Sequence, residues 1–201
     1  MACDSSDPPG AGGAGGNGGN AGASGSSGAP SNLEVVPVMY TPPDQPLVIL
    51  ENGDPVELWR APQGGHVLVV GARIRGLEGE TISLRARVRD PESNRILAEE
   101  KRTVVTELVP EEPGWRQTLR QTNSQATHVP VCPNYGTRDI VGQTQRVEVH
   151  VTELYAPVET TGQTELTLVP TCMQTEPGHL AQCVCECTAD YVLGRCADAG
   201  P

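Results

Sequence analysis

The sequence predicts an all-β fold: an antiparallel immunoglobulin-like β-sandwich with a disordered N-terminal tether and a disulfide-stapled C-terminal tail. Three observations carry this expectation. Apolar and polar residues alternate with period two in several segments, Gly/Pro/Asn clusters punctuate the chain at short intervals, and no segment shows convincing helical periodicity. The expected divisions are residues 1–32 as tether, 33–171 as sandwich and 172–201 as a Cys-rich extension.

The β-rich run at 33–39 contains Pro37, which suits an edge strand because Pro has no N–H for a ladder bond. Residues 47–50 and 56–59 flank Asn52-Gly53, a strong hairpin signal. Pro62-Gln63-Gly64-Gly65 turns the chain into a strand over 66–75, and Gly76-Leu77-Glu78-Gly79 turns it again. Ile82, Leu84, Ala86 and Val88 then alternate with Ser83, Arg85, Arg87 and Arg89, one face for a core and one for water. After the turn at 90–94 comes a strand over 96–107, broken at 110–114. Residues 116–131 are polar and hold one or two weak strands. Val147, Val149 and Val151 alternate with Glu148, His150 and Thr152, and a last strand covers 164–169.

Composition bounds the rest. Phe is absent and aromatic residues make up 3% of the chain, so the core must be Val, Leu and Ile. Smaller side chains bury less apolar area each, at about 25 cal/mol per Å², and cross-links would compensate. A net charge of −11 argues against nucleic acid, which needs clustered Lys and Arg. The Arg85, Arg87, Arg89 alternation reads as a solvated strand face, and no apolar run approaches the ~20 residues of a membrane span.

Residues 4–32 are Gly, Ala, Ser and Asn with a loose GGX triplet. They cannot bury enough apolar surface to offset the entropy of ordering, and a linker of this type reaches roughly 30 Å. Ala2-Cys3 precedes this tract. An Ala-Cys step leading into a polar Gly-rich spacer, followed by a β domain and a Cys-rich end, resembles the envelope lipoproteins of gliding soil bacteria. The resemblance implies a lipid on Cys3. It also implies a place in the bacterial cell envelope, on the periplasmic face or the cell surface, with a membrane as partner through the anchor. Met1 and Ala2 leave no room for a signal segment, so the expectation is a start placed inside a signal peptide, or a trimmed chain.

Setting Cys3 aside leaves Cys132, Cys172, Cys183, Cys185, Cys187 and Cys196, an even set that suits disulfides in an oxidising compartment. Six cysteines allow fifteen pairings. Cys132 and Cys172 end strand-like segments and could pair with each other. Cys183 and Cys185 would then remain, and a bond between them would be strained, so cross-pairing with Cys132 or Cys172 is also reasonable. The C-x-C-x₈-C spacing from Cys185 through Cys187 to Cys196, with Tyr191 and Gly194, is similar to the second half of an EGF module. That likeness covers about fourteen residues and implies a Cys187–Cys196 bridge. The alternative is zinc or copper(I) on His179, Cys183, Cys185, Cys187 and Cys196, although structural zinc sites usually use C-x₂₋₄-C spacing.

No nucleophile elbow, phosphate loop or HExxH motif occurs, and neither an enzymatic activity nor a cofactor is expected. The binding-loop candidates are Trp115, in Glu111-Glu112-Pro113-Gly114-Trp115, and Asn134, Tyr135 and Arg138, in the segment 133–139. Each loop sets an aromatic beside charged or amide groups, as binding patches do. The expected role is a non-enzymatic binding or structural module, its partner an envelope protein or glycan; an extracytoplasmic metal-binding protein is the alternative.

Overall fold

A computed structural model describes residues 33–39, 47–118 and 123–196. Cys3 and the tether lie outside these residues. The chain runs β1 (Glu34–Met39), β2 (Val48–Ile49), β3 (Asp54–Arg60), β4 (His66–Arg75), β5 (Thr81–Arg89), β6 (Ile96–Leu108), β7 (Trp115–Thr118), a 3-10 turn (Asn123–Gln125), β8 (Thr127–Cys132), β9 (Gln145–Glu153), β10 (Thr161–Thr171) and α1 (Pro177–Cys187). No helix among the described residues is long and apolar enough to cross a membrane.

The chain is mostly β, as expected, but the sheet closes on itself. From β4 the pairing passes through β3, β10, β9, β5, β6 and β7 and returns to β4, a ring of seven strands. Two strands make the corners by changing partner halfway. Residues 54–57 of β3 run parallel to β10, and residues 58–60 then pair antiparallel with β4. Residues 96–105 of β6 pair with β5, and 106–108 with β7. Sheets twist, so a strand of 13 residues like β6 runs off one layer onto the next. The two separate antiparallel sheets expected from the sequence are thereby joined, with one parallel contact.

The strongest alternations give the best-formed walls. Ile82, Leu84, Ala86 and Val88 are fully buried, as are Val147 and Val149, in one core cluster with Leu58, Leu68 and Leu168. Strand β4 is the hub. One of its edges carries β3 and then β1, the other β8 and then β7. Closure at β7 depends on Gly71, where a Cβ would lie 2.5 Å from the Thr118 hydroxyl oxygen. With no side chain there, that hydroxyl accepts from the Ala72 N–H at 3.4 Å.

Asn52-Gly53 forms a turn, with Gly53 at φ +88°, but joins no hairpin. β2 pairs with β1 instead. The turn is bound to β10: the Asn52 side-chain oxygen accepts from the Thr167 N–H at 2.8 Å, and the Gly53 N–H donates to the Thr167 carbonyl at 2.7 Å. Those bonds start the parallel β3–β10 pairing.

The tail is helical where no helix is expected. Cys183, Cys185 and Cys187 alternate as strand residues would, which hides the helix. At about 100° per residue, a helix puts positions 183 and 187 on one face and 185 roughly 200° from 183. Cys183, Glu186 and Cys187 are the buried residues of α1. The disulfides follow that geometry: Cys132–Cys187 and Cys172–Cys183 bolt the inner face to the barrel, and Cys185–Cys196 ties the outer side to the chain end. The Cys187–Cys196 bridge implied by the EGF likeness is therefore replaced, and Cys132 pairs with Cys187 rather than Cys172. Cross-pairing of Cys183 with Cys172 is the option that forms.

Candidate functional site

The segment 133–139 leaves β8 at Cys132 and is framed by the tail. The Asn134 N–H donates to the Glu186 carbonyl at 2.8 Å, and the Ile140 N–H donates to the Cys187 carbonyl at 3.0 Å. The Asp190 N–H donates to the Gly136 carbonyl at 2.8 Å, and the Tyr191 N–H to the Asn134 carbonyl at 3.0 Å. The Ala189 N–H donates to Asp139 Oδ1 at 2.7 Å. These bonds, with the Cys132–Cys187 link, fix the backbone of the loop on both sides.

Asn134 is the internal brace. Its side chain is buried; Nδ2 donates to the Arg138 carbonyl at 2.7 Å and the Cys187 carbonyl at 3.3 Å, while Oδ1 accepts from the Gly136 N–H at 2.9 Å. The amide supplies the two donations and one acceptance made here, whereas an ionised carboxylate has no donor and a hydroxyl only one. Tyr135 is turned outward, 68% exposed, and meets the Tyr191 ring edge-on at 5.8 Å between centroids. Beside it lies a depression of about 440 Å³ bordered by Arg95, Ile96, Leu97 and Pro130. Arg138 is tied to the turn after β5, with Nη1 2.9 Å from Glu92 Oε1 and 3.7 Å from Asp90 Oδ2. Hydrogen bonds from the Ser93 backbone and hydroxyl hold the Asp90 carboxyl below its ordinary range.

Of the four expected loop residues, three meet here and one does not. Trp115 belongs to β7, half-buried, with the guanidinium carbons of Arg73 and Arg75 at 5.3 and 5.2 Å from its ring. Cations over a Trp face are attracted by its quadrupole, so Trp115 is engaged at the β4–β7 seam.

Beneath the loop sits a pair that sequence reasoning missed. His66, 1% exposed, opens β4, and its Nδ1 lies 2.9 Å from Glu186 Oε2. Gln182 Nε2 holds the other Glu186 oxygen at 2.8 Å. Burial lowers the His66 pKa, outweighing the attraction of Glu186, so the ring is neutral at pH 7. With Nδ1 facing the Glu186 carboxylate, buried Nε2 has no hydrogen-bond partner among the described residues. No local motif announces a contact between residues 120 apart.

A ring nitrogen of His66 and the Sγ atoms of Cys183 and Cys187 lie within 4.8 Å of one another. Both sulfurs are in disulfides, and metals take thiolates, so coordination here requires prior reduction. His179, the histidine of the expected ligand set, instead pairs with Glu176 at 2.7 Å on the outer surface. Cys185 and Cys196 bond each other.

No protein-family model matches the chain, and a search of curated proteins finds no match.

Proposed function

We propose that this protein is a non-enzymatic binding module of a bacterial envelope, held by a lipid on Cys3 and presenting the Tyr135–Tyr191 surface to an envelope protein or glycan. The observation that carries the reading is the contrast within one short loop. Its backbone and Asn134 are immobilised by the tail, yet Tyr135 stands exposed beside a depression. Large apolar side chains exposed on a rigid frame bind with little loss of conformational freedom. The Ala2-Cys3 step and the Gly-rich spacer support the anchor, and three disulfides suit an oxidising compartment. We also read the barrel as a variant of the immunoglobulin-like sandwich, its two layers joined by the switching strands β3 and β6.

Co-sedimentation with isolated bacterial envelopes tests this. The full chain carrying Cys3→Ser, free of lipid, is expected to pellet with envelopes, and Tyr135→Ala with Tyr191→Ala to reduce the bound fraction about tenfold, the ~1.4 kcal/mol expected for an aromatic anchor. Equal binding by both would contradict the loop as the contact surface.

A further inference from the structure

The outward face of β5, β9 and β10 is ruled into cross-strand rows by the register. Arg87 stands opposite Glu148, and Glu148 opposite Glu165; one step along, Arg85 stands opposite His150, and His150 opposite Gln163. The first row is neutralised. Arg87 bonds Glu99, Arg89 Nε lies 2.6 Å from Glu148, and Arg146 Nη2 lies 2.6 Å from Glu165. In the second row His150 Nε2 lies 3.7 Å from Glu148 Oε2, and Arg85 is the residue left over. Among the described residues Arg85 has no carboxylate within 4.0 Å, and its Nε is shielded from solvent without a hydrogen-bond partner. Lys101, opposite Arg85 on β6, adds a further positive charge.

This guanidinium borders a depression of about 580 Å³, lined also by His150, Thr152, Glu159, Thr161 and Gln163. That size falls in the ~300–1,000 Å³ range of small-ligand sites. A second hollow of about 420 Å³ shares His150 and Gln163 as its wall and continues toward Glu148 and Glu165. Leu33 also lines the first hollow. Its N–H donates to the Thr161 carbonyl at 2.9 Å, and it crosses so near Gly162 that a Cβ there would lie 2.4 Å from the Leu33 carbonyl oxygen.

We propose that Arg85, His150 and Gln163 form a binding site for a carboxylate-bearing sugar, a uronic acid unit. Charge selects the anion. One guanidinium matches a single carboxylate through a two-pronged hydrogen bond. Glu159 in the lining, with Glu148 and Glu165 in the adjoining hollow, repels a dianionic phosphate more than a single carboxylate, in a chain whose net charge is already −11. The remaining lining selects the rest of the ligand. Thr152, Thr161 and Gln163 offer hydroxyls and an amide to the ring hydroxyls of a sugar, and few side chains there offer an apolar surface. The site uses none of the residues of the Tyr135 loop, so either can fail without the other.

NMR titration of the full chain with glucuronate, glucose and inorganic phosphate in parallel decides it. The Arg85 Nε–H and His150 ring resonances are expected to move with glucuronate, to saturate, and to stay in place with glucose. Arg85→Gln is expected to weaken glucuronate binding at least tenfold, with Arg85→Lys intermediate because charge returns without the fork. Gln163→Ala, on an exposed side chain, gives a second reading if Arg85→Gln fails to fold. Equal shifts with glucose, tighter binding of phosphate, or glucuronate binding unaltered by either substitution would overturn the assignment.

Discussion

His66 Nδ1 and Glu186 Oε2, 2.9 Å apart, join the first residue of the hub strand to the inner face of the tail helix. Between them the two residues link sequence positions that the barrel alone would leave unconnected. Removing the carboxylate leaves the buried ring with both nitrogens unmatched. Glu186→Ala is therefore expected to lower unfolding free energy by about 2–3 kcal/mol, and Glu186→Gln, which keeps an acceptor, by less. Urea unfolding midpoints measure both; equal midpoints for the two variants and the parent would show that the pair stabilises nothing.

The same histidine sets a pH dependence. Its folded pKa lies below the ordinary 6.5 because burial disfavours the charged ring. The unfolded chain therefore binds more protons than the folded one near that pH, and stability rises with pH there. Stability is complete above the unfolded value and falls as pH drops through about 6.5 toward the folded value, then levels. His150 adds in the same direction, lowered by burial and next by Arg85. The melting temperature should thus fall between about pH 7.5 and 5.5, and less steeply in His66→Gln. An unchanged slope in that variant would place the effect elsewhere.

Cross-links separate barrel stability from loop order. Cys132–Cys187 spans 55 residues and Cys172–Cys183 spans 11. Chain entropy puts their loss at about 4 and about 3 kcal/mol. Replacing Cys132 and Cys187 by Ser should cost more, and should also speed hydrogen exchange at the Asn134 and Ile140 amides, which bond the Glu186 and Cys187 carbonyls. Exchange that stays slow at both amides would mean that the loop is held without the bridge.

Trp115 offers a control for the binding surface. Its ring is covered by Arg73 and Arg75, not presented to a partner. Trp115→Leu should cost about 1 kcal/mol through the lost cation–π contacts, and leave envelope co-sedimentation unchanged. Loss of co-sedimentation with the fold intact would return Trp115 to the contact surface.

Where local pattern and final environment agree, the structure is legible in the sequence. The alternation in β5 and β9 names the residues that prove buried, and the Pro/Asn/Gly composition of 133–139 marks a loop. Three features escape it. Period-two cysteines imitate a strand, though a helix uses the same spacing to send Cys183 and Cys185 to different sides. Partner exchange halfway along β3 and β6 closes the ring without leaving any mark in their hydrophobic pattern. Finally, Asn134 and Arg138 have the composition of binding residues but serve as the brace and tether of the loop, because each finds its partners inside the protein.

The tail as the frame of the Tyr135 loop stands on the link between Cys132 and Cys187. Peptide mapping of the unreduced protein, with fragmentation that cuts between Cys183 and Cys187, reads it directly. The predicted result is Cys132 joined to Cys187, Cys172 to Cys183 and Cys185 to Cys196. A Cys187–Cys196 peptide, with Cys132 joined to Cys172, would contradict it and detach the loop from its frame.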